Sequence, residues 1–228
     1  MKIAIICQAE EENCQDRTGL SQTELLNCHR VFARGATATG CVSLSDTDRK
    51  LLAKNKVSCV HTPLAYLKNG QQPMDVAATV KARLNVALGT GGAVEAGNAD
   101  LFSVMRLTAS LAREKSDNAD TFPASAALMM ATVCGARAQG RAHRTGMLKE
   151  GMDADLILVD FSAPHLIPCH NVLSALVFGA QGGDVAMTMV EGNILYQNGK
   201  FPTLDLTGAV ETLTTYTFDR LFREEEKQ

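Results

Sequence analysis

Val86-Ala-Leu-Gly-Thr-Gly-Gly-Ala-Val94, followed by Asn98-Ala-Asp-Leu-Phe-Ser-Val-Met-Arg-Leu107, decides the fold. An apolar run ends in a glycine-rich turn, and a segment with apolar residues at helical spacing begins a few positions later. A buried parallel strand delivers its C-terminal end to a site in this way and then hands over to a crossover helix. The same grammar repeats upstream. Lys2 to Ala9, Ala36 to Leu44 and Val57 to His61 read as strands, and Asn85 to Leu88 as the fourth. Between them lie helical stretches. Ser21 to Phe32 opens on the capping box Ser21-Gln-Thr-Glu24, a short helix through Ala53 is capped by Ser45-Asp-Thr-Asp48, and Pro73 to Arg83 feeds the fourth strand. Regular strand–helix alternation predicts parallel βα units.

Downstream the grammar changes. Asp100 to Arg113 is a long helix and Lys115 to Asp120 a polar connector. Phe122-Pro123 opens a further helix over Ala124 to Ala138, with Gly135 marking a close backbone approach and Gly140 a stop. Ala154 to Asp160 and Ala186 to Glu191 read as strands, with a short helix over Asn171 to Phe178 between them. Gly192-Asn193 is a hairpin turn, Ile194 to Gln197 pairs back, and Asn198-Gly199 is a second turn signal. Thr207 to Arg223 is expected to be a terminal helix. Three segments follow: 1–145, 146–206 and 207–228.

The 228 residues are 46% hydrophobic and 21% charged, an ordinary globular balance. A net charge of −3, with lysines and arginines scattered, gives no footing for nucleic acid or an anionic membrane surface. The run Arg223-Glu-Glu-Glu-Lys227 reads as a solvated tail. Seven cysteines at 7, 14, 28, 41, 59, 134 and 169, with no Cys-x-x-Cys, predict reduced thiols and a cytoplasmic setting. The apolar start Met1-Lys-Ile-Ala-Ile-Ile-Cys7 is too short for a membrane span or a secretion signal and reads as a core strand.

The glycine-rich turn resembles the eighth strand and following helix of the amidohydrolase superfamily, in the branch of adenosine-derivative deaminases, guanine deaminases and triazine hydrolases. Ala126 to Gly140 is similar to the family's helix after the barrel. Gly146-Met-Leu-Lys-Glu-Gly-Met-Asp-Ala-Asp-Leu-Ile-Leu-Val-Asp160 is similar to its return strand. Ser162-Ala-Pro-His165, Leu173 to Phe178 and Asp184 to Asn193 also match. The resemblance implies an α/β fold: a partial (β/α) TIM-type barrel of the last four βα units, then a small β-sandwich segment. By the order of motifs the chain starts at the family's fifth strand.

The resemblance also implies a site, and that site is depleted. Ile6-Cys-Gln-Ala-Glu10 aligns with Ile-His-x-x-Glu, so Cys7 stands where a metal-binding His is expected and Glu10 keeps the proton-handling position. Thr39-Gly-Cys-Val-Ser-Leu-Ser45 has Gly40 and Ser43 where histidines stand, and Val60-His-Thr-Pro63 keeps His61. Gly91 replaces the Asp that binds metal and handles the proton of the attacking water. The family's first-strand His-x-His pair has no counterpart. Catalytic candidates are therefore Glu10 and His61, with Cys7 the one candidate metal ligand.

Each candidate has a plainer reading. Glu10 reads as a solvated strand-end residue, His61 as a hydrogen-bonded turn residue and Cys7 as an inert buried thiol. A catalytic zinc needs about three protein ligands and an open position. The leading expectation is thus a truncated, degenerate relative that has lost catalysis, carries no cofactor and acts in binding or assembly. The alternative is a zinc- or iron-dependent aminohydrolase or chlorohydrolase of purine-, nucleoside- or triazine-like rings, completed by a partner chain. Four βα units leave two open sheet edges, which predicts a homo-oligomer or a complementary half-barrel chain.

Overall fold

A computed structural model of the chain describes residues 3–6, 11–116, 118–217 and 220. Four strands, β1 (Ile3–Ile6), β2 (Ala36–Thr39), β3 (Ser58–His61) and β4 (Asn85–Leu88), form one sheet in the order β1-β2-β3-β4. Every pairing is parallel, with Ile3 opposite Ala36, Thr37 opposite Ser58 and Ser58 opposite Asn85. The α/β class read from the sequence is the observed one.

The connections carry helices α1 (Glu11–Thr18), α2 (Gln22–Cys28), α3 (Asp46–Lys54), α4 (Pro63–Lys68) and α5 (Val76–Lys81). Two begin on reciprocal caps. Ser21 and Glu24 close the start of α2, and Ser45 and Asp48 close that of α3. Asp48 also accepts from the Ser21 hydroxyl, so one buried carboxylate ties both helix starts together. After β4 come α6 (Ala93–Ala96), the long α7 (Leu101–Ser116), α8 (Ala124–Ala131) and α9 (Val133–Gln139).

Three expectations need correction. Ser21 to Phe32 is not one helix: α2 stops at Cys28, and Arg30 turns left-handed at φ 56° before a single tight turn over Val31–Arg34. Pro63 is the first residue of α4, where its missing N–H costs nothing, so the stretch after the third strand, given no element in the sequence reading, is a short helix. The helix over Ala124 to Ala138 breaks at Thr132, whose φ is −117° and ψ −90°. The break lets α9 lie across the N-terminal ends of the strands. There Thr37 donates to the Ala138 carbonyl at 3.0 Å, and Asn85 donates to that of Cys134 at 3.0 Å and to the Ser58 hydroxyl at 3.0 Å.

A second sheet is antiparallel, in the order β5 (Leu156–Val159), β6 (Val185–Val190), β7 (Asn193–Gln197). The β6–β7 turn falls on Glu191-Gly192, with φ of 48° and 81°, one residue earlier than the sequence suggests. The motif leading into β5 has clear structural causes. Gly146 holds φ 101°, and a Cβ there would sit 2.8 Å from the Ala136 Cβ and 3.1 Å from the Val133 backbone. Asp155 accepts from the Glu191 N–H at 2.8 Å, and Arg144 pairs with Asp153 at 2.9 Å. Gly146→Ala is therefore expected to cost about 2 kcal/mol in urea unfolding, from strained backbone and close contact together. Between the second sheet's strands lie α10 (Val172–Ser174) and a wide turn over Ala175–Gly179; α11 (Leu206–Thr212) follows β7.

One apolar core joins the helix-covered face of the parallel sheet to the segment ahead of β6. Ala36, Ala38, Cys59, Val86 and Leu88 from the strands belong to it, with Leu52, Val76, Phe102 and Met105 from helices and Leu166, Val177 and Ala180 from the later segment. Arg106 of α7 crosses the same junction, donating to the carbonyls of Gly179 at 3.1 Å and Ala180 at 2.8 Å. Arg106→Met keeps the length of the side chain but strands both acceptors. We expect a loss of about 2 kcal/mol by thermal or chemical unfolding. No helix among the described residues is long and apolar enough to cross a membrane.

Candidate functional site

In a parallel sheet, ligands sit beyond the carboxyl ends of the strands, because the loops that leave there converge. In this chain those ends are Gly40-Cys41 after β2, His61-Thr62-Pro63 after β3 and Gly89 to Gly92 after β4. The Gly89 N–H donates to the His61 carbonyl at 3.0 Å and so continues the β3–β4 pairing one residue further. A side chain at Gly89 would lie 2.9 Å from Val60 Cγ1 and 3.3 Å from Thr62 Cγ2, so glycine lets the two strand ends run close together. Gly40 at φ 79° and Gly91 at φ 76° both adopt the left-handed backbone that glycine favours.

His61 ends β3 as a strand residue, not as a turn residue. Side chains alternate between the two faces of a strand, so His61 shares the face of Cys59 and, in register across β4, that of Val86 and Leu88. That face packs against helices. Thr37, Thr39, Val60, Ala87 and Gly89 lie on the other face. His61 is 2% exposed, and its Nε2 has no hydrogen-bond partner among the described residues. Burial pushes its pKa down to about 4, so the ring is neutral at neutral pH. A neutral imidazole buried on the helix-covered face is placed for packing, and it does not face the open side of the strand ends.

Cys7 and Glu10 lie outside the described residues. One feature escaped the sequence reading altogether. A concavity of about 640 Å³ opens at the opposite, N-terminal ends of β3 and β4 and is lined by residues that include Ser58, Asn85, Phe122 and Met130. Local pattern gives no signal of it, because it forms only when α8 and α9 fold beneath the strands.

The amidohydrolase family model matches residues 7–195, most of the chain. The chain belongs to the amidohydrolase family. It is 38% identical over 204 residues to a 5'-deoxyadenosine deaminase of Methanosarcina mazei, covering 90% of this chain and 47% of that one. Against a 5-methylthioadenosine/S-adenosylhomocysteine deaminase of Acetivibrio thermocellus it is 36% identical over 206 residues, covering 89% of this chain and 48% of the relative. Among solved structures, a zinc-bound adenosine deaminase from Xanthomonas campestris superposes with a TM-score of 0.87 at 28% identity, over 99% of this chain and 51% of that one. Zinc-bound atrazine chlorohydrolase from Arthrobacter aurescens superposes at 0.85 with 20% identity, over 93% and 48%, a likeness of fold. This chain thus spans about half the length of the relatives it matches.

Family membership raises the question of a metal. The donors that the described residues offer do not fit one. Among those residues no group of three or more His, Cys, Asp or Glu is placed to hold an ion. The strand-end positions where the family resemblance sets donors carry Gly40, Ser43 and Gly91, and His61 faces the helices. Glycine has no donor atom beyond its backbone, and a serine hydroxyl is a poor substitute for imidazole at a zinc.

Proposed function

We propose that this chain is the C-terminal half of an amidohydrolase-type (β/α) barrel, followed by part of the family's small sandwich. In this reading it takes part in aminohydrolase chemistry on adenosine-like rings only when further strands complete the barrel. The observation that carries the proposal is the pairing of four consecutive parallel βα units with relatives named as 5'-deoxyadenosine deaminases, each about twice as long. Among the described residues β1 and β4 each have one sheet neighbour, which leaves an outer edge on each for a further strand. A second copy of this chain, or a separate chain carrying the first half, would close the sheet. The metal donors would then come from the completing strands, since this half supplies too few.

A second reading rests on a specific observation. Gly91 stands where the family resemblance expects the metal-binding Asp, and Gly40 where it expects a histidine beside the substrate, so even a completed barrel would be short of the carboxylate that takes the proton from the attacking water. Under that reading the chain is a catalytically silent assembly or binding protein. One experiment separates the two. The purified chain would be supplied with zinc and 5'-deoxyadenosine, alone and together with the separately produced N-terminal half of the Methanosarcina mazei relative. Deamination only in the mixture supports the first reading. A stable complex without turnover supports the second, and turnover by this chain alone contradicts both.

A further inference from the structure

The concavity beneath β3 and β4 has the size and lining of a ligand site, and the aminohydrolase reading does not use it. Small-molecule sites span roughly 300–1,000 Å³ and are mostly apolar with a few placed polar groups; this one holds about 640 Å³. Phe122 and Met130 are buried at its floor, while Val80 and Met129 stand at its mouth with 44% and 53% of their surface exposed. Three cations, Lys56, Arg83 and Arg137, line it, and among the described residues no Asp or Glu does.

The cations are placed by the fold. Lys56 and Arg83 occupy the same position in consecutive βα units. Each follows the end of a helix, α3 or α5, and precedes one buried apolar residue and the first residue of a strand, Ser58 or Asn85. Each holds a left-handed backbone, φ 55° for Lys56 and 63° for Arg83, where glycine is the ordinary choice. A helix C-terminus attracts one cation, which gives both residues a local reason to be basic. It gives none for Arg137, which arrives from α9 and donates to Asn85 Oδ1 at 3.3 Å. Nor does it explain why charges from three elements ring an apolar floor.

We propose that this cavity binds an apolar anion, an acyl or aryl carboxylate whose hydrocarbon part fills the floor and whose carboxylate meets Lys56, Arg83 and Arg137. The inference stands independently of the proposed aminohydrolase role, which concerns the other end of the strands. The test is isothermal titration of the full chain with decanoate and, separately, with 1-decanol. Wild type is expected to bind decanoate more tightly than decanol, and to lose that preference as salt rises.

Two variants decide the outcome. Lys56→Gly combined with Arg83→Gly removes two charges while placing glycine where the backbone is already left-handed, so folding is retained and is checked by Tm. It is expected to weaken decanoate about tenfold and leave decanol unchanged. Ala126→Trp, which fills the cavity, is expected to abolish both and so separates this site from the exposed apolar residues Ile157 and Leu158 of β5. Decanoate that fails to bind, binds no better than decanol, or is untouched by either variant overturns the proposal.

Discussion

Lowering the pH from 7 to 4 will cost this protein about 3 kcal/mol through His61 alone, and His61→Leu will remove that cost. The sign follows from burial. An imidazole at the ordinary value of 6.5 in the unfolded chain is held at about 4 in the folded one by desolvation. Above pH 6.5 both states carry a neutral ring and the group contributes nothing. As the pH falls from 6.5 toward 4 the unfolded chain takes up the proton first, and stability drops. Below about 4 the folded ring also protonates and the loss levels off. Against a total stability of roughly 5–15 kcal/mol the effect is large.

The measurement is urea unfolding of wild type and His61→Leu at pH 7 and pH 4.5. Carboxylates elsewhere respond to acid in both proteins, so the difference between the two acid responses isolates His61. At pH 7 the two should agree within about 1 kcal/mol, because Nε2 makes no hydrogen bond among the described residues to lose. Equal acid responses would mean that the ring titrates normally and is not packed as described. Confirmation would also argue that this residue, kept from the family motif, serves the packing behind the strands and leaves the chemistry to other groups.

Phe102→Ala is expected to cost about 4 kcal/mol, the largest effect of any single truncation we propose. Phe102 lies in the first turn of α7, where its N–H donates to the Asp100 carboxylate at 2.8 Å. Its ring is 7% exposed within the core that joins the parallel sheet to Leu166 and Val177. Removing it leaves a void at the junction of the two halves, which a small neighbour such as Ala180 cannot fill. Urea unfolding should show a lower midpoint with an unchanged slope. A loss under about 1 kcal/mol would mean that the later segment docks elsewhere.

How much of this could be read from the residues depends on the range of the cause. The βα alternation and the caps at Ser21 and Ser45 are local, and the structure repeats them. The start of α4 is local as well, because the fixed φ of Pro63 suits the first turn of a helix. The break at Thr132 has no proline or glycine to announce it. It is tied to Thr37 and Asn85, which lie 101 and 49 residues from their partners in α9, and no local pattern carries that information. The depleted strand ends were visible as glycines at 40 and 91. The orientation of His61 was not, because it depends on a one-residue register: a shift of one in β3 would turn the ring to the other face.

In the proposed function this chain is half of an aminohydrolase barrel whose metal donors lie elsewhere. The most direct measurement is elemental analysis of zinc and iron in the purified chain, taken across a size-exclusion peak of known mass. Far less than one metal ion per chain is expected for the unaccompanied polypeptide. About one zinc or iron per chain on a monomeric peak would contradict it, because a catalytic ion needs about three protein ligands and these 228 residues would then have to supply them.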